Sequence, residues 1–209
     1  ALTGFMMLFF LCPAAAEPGP IKVGLLAPMT GPSPDWGKKQ IVGMELAVEK
    51  INLRGGVNGT QVEMFALDTG GDPAKAIEAY REMVNSDKVL AVIGPLFSGT
   101  FEALRAVTNE EKVPIIATAA AKPGLSDLEK YPYAFRMTVS SEKKEVAVAQ
   151  AWVKANGIKT VAILYDQKGA FTKALGGKLW PKIFKEQNVK VLDLEDPITF
   201  ETGEKSFSE

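Results

Sequence analysis

The sequence predicts an α/β protein in which parallel strands alternate with helices, and three observations carry that reading. Short β-rich runs and longer stretches of apolar residues at helical spacing follow one another from Ile21 onward. The joints between them carry the glycines, prolines and Asp or Ser residues that strand ends and helix starts require. The alternation then starts afresh after Ser140, which predicts two similar doubly wound parallel-sheet lobes, the second of them truncated. The expected organisation is a signal-peptide remnant at residues 1–16, a first and incomplete lobe at 21–139, and the start of a second lobe at 140–209, with the crossover at Thr138–Ser141.

Residues Phe5–Leu11 form an apolar run too short to span a bilayer. Ala14-Ala15-Ala16 behind it offers an A-x-A cleavage site, so the segment reads as the end of a secretory leader and the chain as exported. Cys12 opens a lipid-modified reading, but Phe9-Phe10-Leu11 lacks the small residues that such sites carry. Without an initiator Met, and stopping at Glu209 with no terminating element, the chain is expected to be a fragment.

Ile21–Ala27 reads as the first strand and Pro28–Pro32 as a turn. A helix from about Asp35 directs Ile41, Met44, Leu46, Ala47, Val48 and Ile51 inward and stops at Arg54-Gly55-Gly56. Asn58-Gly59-Thr60 matches a glycosylation sequon and equally a tight turn; the turn is the simpler reading. A strand at Gln61–Leu67, a loop at Asp68–Asp72 and a helix from Pro73 to about Asn85 follow, with Pro73 suited to a first helical position. Further on come a strand-like segment at Tyr131–Val139, a charged break at Ser140–Lys144, a helix at Glu145–Asn156, a strand at Thr160–Tyr165, a helix at about Ala170–Gln187 and a strand at Val189–Leu194.

The stretch Val89–Leu125 is the centre of the organisation. A strand at Val89–Ile93 breaks at Gly94-Pro95, and a helix carrying Phe101, Leu104 and Val107 begins with Ser98 at the N-cap. Free backbone N–H groups and the positive end of the helix dipole suit an anion there. The next strand, Val113–Ala117, ends in Thr118-Ala119-Ala120-Ala121, small residues that let a ligand approach the backbone. Adjacent loops at the carboxyl ends of parallel strands share the edge where such sheets bind ligands. Trp36, beside Gly37 in the loop after the first strand, reads either as packing or as a pocket wall on that edge.

Composition narrows the chemistry. The 209 residues carry a net charge of −1, with no basic surplus to hold nucleic acid. There is no histidine and a single cysteine, which removes His-based acid–base work, Ser–His or Cys–His nucleophiles, ordinary zinc ligation and an internal disulfide. No cofactor and no metal are expected, and an enzyme is disfavoured. Gly31–Lys38, GPSPDWGK, imitates a phosphate loop, but its glycines stand one residue too far apart, Lys39 replaces Ser or Thr, and two prolines remove donors. No GxGxxG follows any strand. Asp68 and Asp72 are better explained by a turn and a helix cap than by a cation.

IKVGLLAPMTGPSPDWG, the helix ending EKINLRGGVNG, DTGGDPAKA, VIGPLFSGT and AILYD, in order from Ile21 to about Phe207, resemble the periplasmic receptors for leucine, isoleucine and valine, type I solute-binding proteins of ABC importers. The resemblance implies a bilobed, hinged receptor that closes on a small ligand, an amino acid or an organic acid, and presents itself to the membrane subunits of a permease. It implies that Ser98 takes the ligand's carboxylate, that the backbone of Ala119 to Ala121 adds contacts, that Trp36 lines the side-chain pocket and that Phe171 stacks over the ligand from the second lobe. Ala121 stands where amino-acid binders of this family usually place a threonine that helps hold the ammonium. The expected ligand therefore keeps its carboxylate and need not carry an α-amino group, and Lys122 is a further candidate for the anion. Gly71 and Phe97 replace a cysteine pair of some members. A ligand sensor controlling a signalling partner is the alternative from another class, and a doubly wound enzyme a third.

Overall fold

The first strand, β1 (Ile21–Ala27), is apolar along nearly its whole length because it lies inside the sheet, paired on both edges and covered on both faces. The computed structural model describes residues 19–192 and 199–200. Around β1, the strands β2 (Val62–Asp68), β3 (Ala91–Ile93), β4 (Ile115–Ala117) and β5 (Ala134–Arg136) form one parallel sheet in the order β2-β1-β3-β4-β5. The chain moves to one side of β1 and then to the other. The reversal between β1 and β3 opens a crevice outside the carboxyl ends of those strands.

Side chains alternate across the sheet, so Leu26, Val92 and Ile115 face one layer while Leu25, Ala27 and Ile93 face the other. The first layer is the larger core. It holds Ala76, Ala79 and Tyr80 of α2 (Pro73–Glu82) and Phe101, Leu104 and Val107 of α3 (Ser98–Glu111). The second layer packs Met44, Ile41 and Val48 of α1 (Pro34–Leu53) on the sheet, while Leu46, Ala47 and Ile51, expected inward, are exposed because they fall outside the stripe that meets the sheet. The loop readings hold. Asp72 caps α2, its carboxylate accepting the Lys75 N–H at 2.9 Å, with Pro73 behind it. Asn58 and Gly59, both at positive φ, turn the chain between the bridged residues Val57 and Thr60.

Several boundaries differ from the sequence reading. The strand expected at Tyr131–Val139 shrinks to Ala134–Arg136, because Tyr131 and Ala134 are tied into turns with Asp127 and Tyr131. The charged segment expected as a break, Ser140–Lys144, is instead the first turn of α4 (Ser141–Asn156). The expected strand Thr160–Tyr165 divides into β6 (Thr160–Val161) and β7 (Tyr165–Asp166). The long helix expected at Ala170–Gln187 is α5 (Ala170–Ala174) and α6 (Trp180–Glu186), joined by a wide π-type turn at Leu175–Leu179 where the Tyr165 ring lies against Gly176. A similar turn at Met83–Asp87 ends the helix begun at Pro73. The last expected strand, Val189–Leu194, is described only as β8 (Lys190–Val191), paired with β6; Leu194 lies outside the described residues. So does the segment 1–16, expected as a signal-peptide remnant. The final described strand, β9 (Thr199–Phe200), pairs with β7.

Candidate functional site

The crevice is built by the loops that leave the sheet. After β1 the chain turns through Gly31 and enters α1, and Trp36 sits in the first turn of that helix with 58% of its surface exposed. This loop is fastened by Asp68 at the end of β2. Its carboxylate accepts the Met29 N–H at 2.7 Å, the Thr30 N–H at 3.1 Å and the Gly70 N–H at 2.8 Å, together with the Thr30 hydroxyl. Burial by itself raises this carboxyl. The Thr30 hydroxyl and the three N–H groups outweigh it and hold the pKa down at about 2.

After β3 the sequence reading needs a correction at Ser98. The N-cap is Phe97, in extended conformation, and its carbonyl accepts the Phe101 N–H at 3.0 Å; Ser98 is the first helical residue and caps nothing. The Ser98 side chain is 4% exposed, and its Oγ accepts the backbone N–H of Lys122 at 3.2 Å. Among the described residues no acceptor takes the Ser98 hydroxyl hydrogen. A hydroxyl whose oxygen is already accepting offers its proton to the next acceptor that arrives. The Phe97 ring is seated over Gly71, where a Cβ would lie 2.9 Å from the ring, so the aromatic fills space that any side chain at position 71 would close.

After β4, Thr118 accepts from the Gln40 amide and leads into Ala119-Ala120-Ala121. Two arginines that the sequence reading passed over hold this loop. Nη1 of Arg136 donates to the carbonyls of Ala120 at 3.1 Å and Lys122 at 3.0 Å, and its Nε donates to Ser126 Oγ at 2.7 Å. Nη1 of Arg105 donates to Gly124 and Leu125 at 3.3 and 3.4 Å, with its guanidinium 4.5 Å from the Tyr131 ring centre. Burial lowers the Arg136 pKa, Glu142 acts the other way and Arg105 lowers it further. Lys122, expected as a further anion contact, has its ammonium paired with Glu102.

From the other side, Thr172 donates its hydroxyl to the carbonyls of Asp166 and Gly169, shaping the loop that presents Phe171 at the start of α5. Gly99 permits the approach of α5 to α3: a Cβ at Gly99 would already lie 3.3 Å from that of Ala170. The result is a cleft of about 230 Å³ lined by Ser33, Trp36, Leu96, Phe97, Ser98, Ala119 and Phe171. It brings together four of the five residues singled out from the sequence. The fifth, Ala121, does not line the cleft, because its carbonyl is drawn to the Ser141 N–H at 3.0 Å. Leu96 and Phe97 were missed as cleft walls, though both lie in the quoted motif VIGPLFSGT; Arg136 announced itself only as a charge inside an apolar strand segment. Among the described residues, no group of three acidic or cysteine side chains could hold a metal.

A doubly wound sheet with a small cleft at its switch point, walled by aromatic rings and lined by a buried serine, defines the class of α/β protein to which this chain belongs. The chain belongs to the periplasmic binding protein family, of type I, whose model matches residues 20–208. It is 30% identical over 189 residues to the leucine-, isoleucine-, valine-, threonine- and alanine-binding protein of Pseudomonas aeruginosa, covering 90% of this chain and 48% of that one. The branched-chain amino acid transporter substrate binding protein of Streptococcus pneumoniae, solved in complex with isoleucine, matches with a TM-score of 0.77 and 26% identity over 90% of this chain and 51% of its own. An ABC transporter solute binding protein from R. palustris, in complex with 4-hydroxybenzoate, matches with a TM-score of 0.75 and 26% identity over 90% and 48%. The chain thus spans about half the length of the relatives it matches.

Proposed function

We propose that this chain is part of an extracytoplasmic solute-binding receptor of an ABC importer, which takes a small carboxylate-bearing ligand into the cleft between Trp36, Ser98 and Phe171 and hands it to a permease. The observation that carries the reading is the placement of Ser98. Its hydroxyl proton has no taker among the described residues, it faces a cleft whose other lining residues are apolar apart from Ser33, and it sits at the first turn of α3, where the helix dipole favours negative charge. Trp36, Leu96, Phe97 and Phe171 supply apolar walls for the ligand's body. The residues from Ile21 to Val139 form the first lobe in this reading, and those from Ser140 onward belong to the second. Ligand contact on both sides of the cleft then favours the closed arrangement over the open one.

The two complexes named above frame the ligand as an amino acid or an aromatic acid. The aromatic walls suit a flat ring, and Lys122's ammonium, paired with Glu102, leaves the Ser98 hydroxyl as the anion contact, so an aromatic acid without an amino group is the preferred class. Calorimetry of the intact protein against L-isoleucine and 4-hydroxybenzoate tests this. Binding of the aromatic acid in preference to the amino acid is expected, and Ser98→Ala should lower that affinity by about 1.5–3 kcal/mol, the worth of a hydrogen bond to a charged group. Unchanged affinity in the variant removes Ser98 from the site, and exclusive binding of isoleucine overturns the preference.

A further inference from the structure

Ser98 does not stand alone behind the cleft. Its oxygen is engaged by the N–H of Lys122, and the carbonyl of the same residue is held by Arg136. Arg136 also grips Ala120 on the near side and Ser126 on the far side, so three contacts on one planar guanidinium fix the chain from 120 to 126. The loop has no regular secondary structure of its own across these residues. Its shape is therefore set by what binds its carbonyls.

From this geometry, and resting on the receptor reading given above, we infer that Arg136 is a positioning residue for anion recognition: by holding the carbonyls of Ala120 and Lys122, on either side of the peptide that carries the Lys122 N–H, it fixes the main chain that aims the Ser98 hydroxyl. Lys122 N–H occupies a lone pair of Ser98 Oγ only while the peptide keeps its place. With that lone pair occupied the hydroxyl hydrogen turns outward as a donor. When that main chain drifts, Ser98 is free to donate to a backbone carbonyl instead, and the cleft loses the O–H that this arrangement aims into it. Arg136 touches no ligand in this scheme. The planar fork is essential to it, since a lysine at the same point delivers a point charge and cannot span Ala120, Lys122 and Ser126 together.

The test is a double-mutant cycle on the intact protein, with Arg136→Gln and Ser98→Ala singly and combined, titrated calorimetrically with 4-hydroxybenzoate and with L-isoleucine. Arg136→Gln is expected to weaken binding of the responding probe about 10-fold when Ser98 is present and less than about 2-fold when position 98 is alanine. Equal losses in both backgrounds overturn the inference, because a role in general loop stability is indifferent to the Ser98 hydroxyl. Arg136→Lys and Ser126→Ala, milder changes that retain a cation at 136, are to show part of the loss with the same dependence on Ser98, and independence from it counts against the proposal equally. If the unaltered protein binds neither probe, the receptor reading fails and this inference with it; if it binds and the cycle is additive, only the inference fails.

Discussion

Residues 21–136 and residues 141–192 use the same alternation of strand and helix and arrive at different degrees of consolidation. In the first region a seven-residue strand inside the sheet is paired on both sides, and both packed clusters of the molecule's described part lie there. In the second, the ladders are two residues long, Trp152 and Leu164 remain about half exposed, and α4, β7 and the helices α5 and α6 surround an apolar hollow of about 470 Å³. The difference teaches that a strand-like sequence becomes a strand only to the extent that a neighbour meets its edge. Ile163 and Leu164 are as apolar as Val92 and Ile93; what separates them is pairing.

Three measurements break or sharpen that contrast. The largest expected effect is in the core beneath the sheet: Phe101, fully buried, should lose about 3–5 kcal/mol of stability on replacement by alanine. Trp152→Ala, made in the hollow of the second region, should lose about 1 kcal/mol or less despite the larger ring, since 47% of it is already exposed. Urea denaturation of the two variants decides it, and equal losses would dissolve the distinction between the regions.

A smaller effect is expected at Asp68. Its carboxyl is held at about 2 when folded and returns to its ordinary 3.8 when unfolded, so the stabilisation is complete above about pH 4 and disappears as the pH falls through 2. Screened by solvent at this half-exposed position, it is worth about 1 kcal/mol. Denaturation midpoints at pH 5 and pH 2.5 measure it: the unaltered protein should lose stability between them that Asp68→Asn never had. The smallest effect belongs to Arg81, which bridges α2 to α3 through Glu110 at 3.0 Å and Glu111 at 3.6 Å on an open surface. Arg81→Ala should change stability by about 0.5 kcal/mol, an amount that raised salt should erase. A loss of several kcal/mol would mean that surface pairs, rather than the buried clusters, consolidate the first region.

Much of the first region was legible in the sequence because its signals are local. Pro73 after Asp72 marks a helix start whatever lies elsewhere, Asn58-Gly59 marks a turn, and the run Ile21–Ala27 has no polar face to offer solvent. The misplaced boundaries arose where partners distant in sequence decide. Ser140–Lys144 reads as a charged break, yet the N–H of Ser141 meets the carbonyl of Ala121 and the helix starts there. Of the cleft, Trp36, Ser98 and Ala119 were legible as residues that strand-end loops present, and Phe171 only through the family resemblance. Arg136 and Arg105 were not, because a cation that binds carbonyls leaves no motif: its partners are backbone atoms, common to every sequence.

The seating of the Phe97 ring over Gly71 has a consequence for how this molecule can change over generations. The two positions belong to different loops, after β2 and after β3, yet neither can be altered freely while the other keeps its present form. A side chain gained at 71 displaces the ring into the cleft, and a ring lost at 97 opens a hole beneath it. Recombination that exchanges one loop and leaves the other will therefore be selected against more strongly than either loop's own tolerance predicts, and the two should pass between lineages as a pair.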